Sequence, residues 1–210
     1  MSSGLRIDFD LKHKLPSEII LDSSILYYVI LTKPKKVEDQ TLFNHAVTFL
    51  KRLESAYKAK NCIILVPSAA IAEVCRLITK DSADDYRKTN KPLDKDGKLI
   101  TGWKQILKND KSLIKRLKII DKIQDFINIL DALGIVIIQP KDLSSSINVS
   151  NNTLEERTIR YMYKLELQFD DANILAIADR LGVKNIASLD SDFTSIVKEG
   201  FTIYTSSIIK

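Results

Sequence analysis

The stretch from Leu165 to Phe193, LELQFDDANILAIADRLGVKNIASLDSDF, decides how this chain of 210 residues is read. Asp170 and Asp171 stand where a helix would begin, at the positive end of its macrodipole. Ile174, Leu175, Ala178 and Leu181 then recur at the spacing of one buried helical face. Gly182 supplies the stop, because the residue after a helix often takes a left-handed conformation that suits glycine. Val183 to Leu189 reads as a short buried strand, with Asp190 and Asp192 at its C-terminal end. In open α/β sheets ligands sit beyond the carboxyl ends of the strands, so an acidic helix start and an acidic strand end in one unit suggest a metal cup. Helix capping plus a polar turn would use the same residues. The rest of the chain has to decide between the two.

On the N-terminal side the same grammar recurs. Glu18 to Asp22 is an apolar run closed by an acid, the first core strand, with Ser23 and Ser24 suited to cap a helix over Ile25 to Leu31. Cys62 to Val66 is a second core strand ended by Pro67, and Ser68 is expected to cap a helix through Ile78 that carries Glu73 just after its first turn. Thr41 to Ala59 has an amphipathic helical pattern, and Ile135 to Gln139 is a third strand stopped by Pro140. On the far side, Phe193 to Lys198 suits a short helix and Phe201 to Tyr204 a last strand. Short apolar strands separated by helices indicate an α/β domain with a mostly parallel sheet.

Less regular segments lie between. Residues 1–17 read as an N-terminal extension, in which the alternation of Leu5 to Leu11 suits an edge strand; residues 18–210 form the domain, with a helical insertion at about 81–133. Within that insertion, Asp81 to Gly102 reads as a long polar loop and Trp103 to Leu133 as a long helix or a broken pair. On an unbroken helix Lys104, Lys108, Lys111, Lys115, Lys118 and Lys122 share one narrow face, opposite Ile106, Leu113, Leu117 and Ile120. Such a stripe is either a solvated face or a surface for phosphates. A further basic loop runs from Lys33 to Asp39.

Composition excludes several classes. Hydrophobic content of 45% and charged content of 28% suit a globular domain, and no apolar run approaches the roughly 20 residues of a membrane span. No apolar leader segment stands at the N-terminus, so the expected compartment is the cytoplasm. Cys62 and Cys75, the only cysteines, sit in apolar contexts as expected of buried reduced thiols. A net charge of +5 is compatible with a polyanionic partner.

By position, Asp22, Glu73, Asp171 and Asp190 are placed to converge above the carboxyl edge of the sheet. Clustered carboxylates raise one another's pKa and call for a compensating cation, and hard oxygen ligands favour Mg²⁺ or Mn²⁺. His13 and His45, the only histidines, lie far from these positions in the chain, which speaks against Zn²⁺.

The pieces Leu21-Asp22-Ser23-Ser24, Val66-Pro67-Ser68 running to Glu73, Asp171-Ala172 leading into Ala176-Ile177-Ala178, and Ser188-Leu189-Asp190-Ser191-Asp192-Phe193 stand in the order and spacing of a known family. From about Ile19 to Tyr204 the chain resembles the PIN-domain ribonucleases. That resemblance implies a single domain with a parallel five-stranded sheet in the order 3-2-1-4-5, flanked by helices. It implies endonucleolytic hydrolysis of single-stranded RNA with Mg²⁺ or Mn²⁺ as cofactor. Asp22, Glu73, Asp171 and Asp190 would form the acidic quartet, Asp192 an accessory ligand, and Ser23 or Ser24 a hydrogen-bonding group in the site. The six lysines of the insertion would be the RNA-binding surface. Many members are VapC-type toxins, which brings in an antitoxin protein or a second copy of the chain as partner; the extra length at Asp81 to Lys122 departs from those compact toxins.

Other acid-bearing α/β folds fit less well. A receiver domain would need an acceptor Asp after the third strand, where Gln139-Pro140 stands, and a haloacid-dehalogenase-type phosphatase would need an acid at Ser24. No glycine-rich phosphate loop is present. The alternative from another class is a PIN-like scaffold that binds RNA or protein without cutting.

Overall fold

The computed structural model describes residues 4–9, 12–30, 38–143 and 153–209. The basic loop at Lys33 to Lys36 and most of the Ser/Asn-rich stretch before Thr153 lie outside the described residues. Strands β1 (Arg6–Asp8), β2 (Glu18–Leu21), β3 (Ile63–Pro67), β4 (Ile135–Ile138), β5 (Asn185–Ala187) and β6 (Thr202–Thr205) form one sheet in the order β1-β6-β5-β2-β3-β4. Every pairing is parallel.

The expected five strands are therefore six. The N-terminal segment is built into the sheet, with Arg6 opposite Ile203, Ile7 opposite Tyr204 and Asp8 opposite Thr205. Count and order both depart from expectation because β1 adds at the edge beyond β6; the remaining strands run β4-β3-β2-β5-β6. Physically, the alternation around Ile7 suits an edge with one covered face.

Among the described residues, eight α-helices flank the sheet: α1 (Ser23–Ile30), α2 (Glu38–Lys58), α3 (Ser68–Asn90), α4 (Trp103–Asn109), α5 (Leu113–Arg116), α6 (Ile119–Ala132), α7 (Leu154–Leu165) and α8 (Phe169–Leu181). Successive strand residues point to opposite faces, so β2 feeds two cores at once. Ile19 and Leu21 join Leu26, Phe49, Leu53, Val74 and Phe126 under α1, α2, α3 and α6. Ile20 instead joins Tyr161, Leu175, Ile186, Phe193 and Ile203 under α7 and α8.

The helix that carries Asp171 is held at both ends. Gly182 adopts φ +75° at the C-terminus of α8, and Val183 N donates to Ala178 O at 2.9 Å, which delays the start of β5 to Asn185. Asp179 on the same helix receives Arg157, Arg160 at 3.5 Å and Lys184 at 3.3 Å. Arg157 is buried, so this contact clamps α7 to α8. The α7 N-terminus closes with a capping box, Thr153 Oγ1 accepting from Glu156 N at 3.2 Å while Glu156 Oε2 accepts from Thr153 N at 2.8 Å.

The insertion differs most from its sequence reading. Residues 81–90 are helical rather than a loop, because α3 runs on to Asn90 with Ser82 and Ala83 buried. It stops at Lys91, which takes φ +44° ahead of Pro92. Ile100, Ile106 and Leu113 then make a small satellite core with Tyr86, Leu107 and Leu117 against this extended α3. Trp103 to Leu133 is three helices, broken at Asp110, whose Oδ1 accepts from Ser112 Oγ at 2.5 Å, and at Lys118, which has φ +51°. A single lysine stripe does not survive two breaks. Lys104 and Lys108 lie on α4, Lys115 on α5 and Lys122 on α6, with Lys111 and Lys118 in the joints. The second break also shifts the apolar phase: Ile119 is buried and Ile120 is 62% exposed.

Candidate functional site

Parallel strands put their carboxyl ends on one edge, and that edge gathers the four acids. Asp22 follows β2, Glu73 lies in the second turn of α3 after β3, Asp171 sits in the first turn of α8, and Asp190 follows β5. All four line a cleft of about 340 Å³ together with Ser23, Ser24, Tyr27 and Asp170. A second cleft of about 290 Å³ shares Asp22, Glu73, Asp170 and Asp171 and extends along α3 past Ala69, Ala72 and Arg76. None of the six lysines of the insertion lines either cleft.

The acids differ sharply in what holds them. Asp22 is 3% exposed and takes the cap position of α1: its carbonyl accepts from Leu26 N at 3.4 Å, and its Oδ1 from Ser23 N at 2.6 Å. The helix thus begins at Ser23, and the serines expected to cap it turn their side chains to the site instead. Ser24 Oγ donates to Asp22 Oδ2 at 2.5 Å and accepts from Leu189 N at 2.9 Å. Ser188 Oγ donates to the same oxygen at 2.8 Å and accepts from Asp190 N at 2.9 Å. Each hydroxyl has one proton, so the 3.2 Å approach between the two serines adds no further bond. Burial pushes the Asp22 carboxyl above its usual range, and the hydrogen bonds from Ser24 and Ser188 oppose that push. The network ties the end of β2 to the turn after β5 and thereby aims Asp190.

Glu73 is held by Ser23 Oγ, which donates to Oε2 at 2.8 Å, and by Arg76, whose Nη2 lies 3.3 Å from Oε1. Asp190 uses Oδ1 to cap the 3₁₀ helix Ser191–Glu199, accepting from Asp192 N at 2.9 Å. The turn this makes brings Asp192 back toward its neighbour.

Asp171 is the exception. Among the described residues it has no hydrogen-bond or ion-pair partner, yet one oxygen from each of Asp171, Asp190 and Asp192 lies within 4.8 Å of the others. Desolvation, and then repulsion from Asp22, Asp190, Asp192 and Asp170, pushes its carboxyl from 3.8 up to about 7. Asp170, next to it, lines the rim of both clefts.

The donor set is all oxygen. His45 is engaged with Ser206 Oγ at 2.7 Å, and His13 lines a different cleft beside α2. Cys62 and Cys75 are unpaired, and burial pushes the Cys62 thiol up to about 11. Such a set suits a hard divalent cation and offers nothing to a thiophilic one.

Two participants had no role assigned from the sequence. Ser188 opens the last acidic motif, and its part in the network shows only in its burial at 0% exposure and its hydrogen bonds. Arg76 is one helix turn beyond Glu73, a spacing that reads as an ordinary surface pair. Among the described residues, no helix is long and apolar enough to cross a membrane. Compared with known proteins, the chain matches no family model and no curated sequence.

Proposed function

We propose that the chain is a divalent-metal-dependent endoribonuclease of PIN type that hydrolyses phosphodiester bonds of single-stranded RNA. One observation carries the reading: a partly buried carboxylate, Asp171, is crowded by acids and has no donor to answer it. A cap or a polar turn would be satisfied by hydrogen bonds, as Asp22 is. An unanswered cluster is costly to fold and becomes favourable when a cation occupies it. Asp171, Asp190 and Asp192 would hold Mg²⁺ or Mn²⁺, with Asp22 and Glu73 lining the same cleft as Asp171 and Asp190. Bound there, such an ion supplies charge stabilisation and a water of lowered pKa for attack on phosphorus.

The chain's own residues supply positioning. Ser24 and Ser188 lock Asp22 and the turn bearing Asp190, and Ser23 fixes the carboxylate of Glu73. The substrate class follows from the sequence resemblance and accords with the exposed lysines of the insertion, which offer phosphate contacts.

The test is incubation of single-stranded RNA with the protein under Mg²⁺, Mn²⁺ or EDTA. Cleavage is expected with either metal and none with EDTA. Asp171→Asn is expected to lower the rate by about 10²-fold or more, since the electrostatic contribution at the reacting centre is lost. Cleavage that persists in EDTA, or is unchanged in the Asp171 variant, rejects the proposal.

A further inference from the structure

Resting on that reading, we infer that the cleft along α3 is a phosphate subsite for the RNA strand, with Arg76 as the group that grips it. A strand entering the acid-lined edge meets Asp22, Glu73, Asp170, Asp171 and Asp190. Each repels a phosphodiester, and a cation held by three of them offsets only the charge beside it. The backbone therefore needs a second positive point on its path. Among the described residues, Arg76 is the only basic side chain lining either cleft.

Its placement suits that task. The Arg76 side chain is 51% exposed, and one terminal nitrogen, Nη2, is committed to Glu73 at 3.3 Å. A guanidinium has five N–H donors in a planar fork, so the contact with Glu73 leaves most of them for a ligand. Glu73 is itself anchored on its other oxygen by Ser23 Oγ at 2.8 Å, which fixes the direction from which Arg76 is held. Ala69 and Ala72 make the neighbouring wall, and small side chains there leave the space of about 290 Å³ open. Unlike an isolated helix-surface pair, this one lines the same cleft as Asp22, Asp170 and Asp171.

The subsite is specific in its chemistry. It takes a non-bridging pair of phosphate oxygens by a forked contact, which a lysine ammonium reproduces in charge but not in shape. Arg76 is thus a positioning residue for the strand, and its removal acts on binding rather than on the cation.

Binding of a short fluorescein-labelled oligouridine is to be measured by anisotropy across a salt series with Ca²⁺, which suppresses cutting, for wild type, Arg76→Gln and Arg76→Lys. The Gln variant is expected to bind about 10-fold more weakly, as loss of one charge-assisted hydrogen bond implies. Its slope of log affinity against log salt flattens by about 0.7, the value for one single-strand phosphate contact. The Lys variant recovers the slope and only part of the affinity. In cleavage with Mn²⁺ the Gln variant raises KM with a smaller change in kcat. Thermal stabilisation by Mn²⁺ without RNA is retained in both variants. An unchanged slope in Arg76→Gln overturns the subsite, and so does loss of the Mn²⁺ stabilisation, which would mean that Arg76 acts only through Glu73. If wild type neither binds nor cuts the oligouridine, the nuclease reading falls and the subsite with it. If wild type cuts and the slope is unmoved, the subsite alone falls.

Discussion

Replacing Asp171 by Asn should make the metal-free protein more stable, which is unusual for a polar residue at a helix start. The carboxylate lies among Asp22, Asp170, Asp190 and Asp192 and is pushed from 3.8 up to about 7 by desolvation and then by their charge. A folded-state pKa raised above the unfolded value means that the native protein keeps a proton the unfolded chain has shed. Stability therefore falls as pH rises from 3.8 to about 7, and the whole penalty is present above that window. Taken at face value a shift of this size is worth about 4 kcal/mol. The cleft is open to water, which screens the repulsion, so about 1–2 kcal/mol is the expected penalty. Asn has nearly the same shape and no charge, and it removes that penalty.

The assay is thermal unfolding of wild type and Asp171→Asn in EDTA across the window. At about pH 4 the two should melt together, and at about pH 8 the variant should melt higher by about 2–8 °C, given about 2–4 °C per kcal/mol for a chain of this size. Using the difference between the two proteins cancels the other carboxylates that titrate in the same range. With Mn²⁺ in excess of its dissociation constant by about 100-fold, wild type should gain about 2.7 kcal/mol and the variant clearly less, so the order of melting reverses. A variant that melts at or below wild type at high pH in EDTA refutes the reasoning: Asp171 would then be a favourable helix-start charge.

Asp179→Ala should cost about 1.5–3 kcal/mol in chemical denaturation, because it removes the carboxylate to which the buried Arg157 donates and which Arg160 and Lys184 share; a loss under 1 kcal/mol would show that the clamp between α7 and α8 is dispensable. Ser188→Ala should cost about 1–2 kcal/mol by urea unfolding in EDTA, since Asp22 loses one donor and Asp190 N its acceptor; an unchanged midpoint would mean that Ser24 carries the network alone. Changing Lys108, Lys111 and Lys115 together to Gln should leave the melting temperature within about 2 °C, since exposed lysines contribute little. If all three meet phosphates, the salt slope for oligouridine flattens by about two, and an unchanged slope retires the insertion as an RNA surface.

What the sequence made legible follows the strength of its periodicities. The helix of Asp171 and its glycine stop were readable because Ile174, Leu175 and Ala178 repeat on one face and Gly182 takes φ +75°. The carboxyl-edge placement of Asp22 and Asp190 followed from apolar runs that each end in an acid. The lysine stripe failed for the converse reason. A wheel over Trp103 to Leu133 assumes continuous phase, and the turn at Asp110–Ser112 and the left-handed Lys118 each reset it. The helical course of residues 81–90 was hidden by their polarity; the buried Ser82 Oγ accepts from Lys122 Nζ on α6 at 2.9 Å, a contact 40 residues away in sequence. The sixth strand depends likewise on a partner at the other end of the chain.

The least legible property is the one on which the proposed function turns. Sequence treats Asp22 and Asp171 as equivalent acids near a sheet edge, and the fold makes them opposites. Asp22 receives donors from Ser23, Ser24 and Ser188, which oppose the push of burial on its carboxyl and hold it as the rigid floor of the cleft. Asp171 receives none, so its charge is unfavourable in the metal-free protein, and a bound cation would relieve it. The two conditions need each other. A cup in which every carboxylate was hydrogen-bonded would bind a cation weakly, because little repulsion would be relieved. A cup in which none was hydrogen-bonded would be lost to local unfolding before a cation reached it. The serines decide which acid is which, and their effect should be visible without any RNA: weakening the donors to Asp22 should raise the proton affinity of the cluster and lower its apparent affinity for Mn²⁺ at neutral pH, since protons and metal compete for the same oxygens.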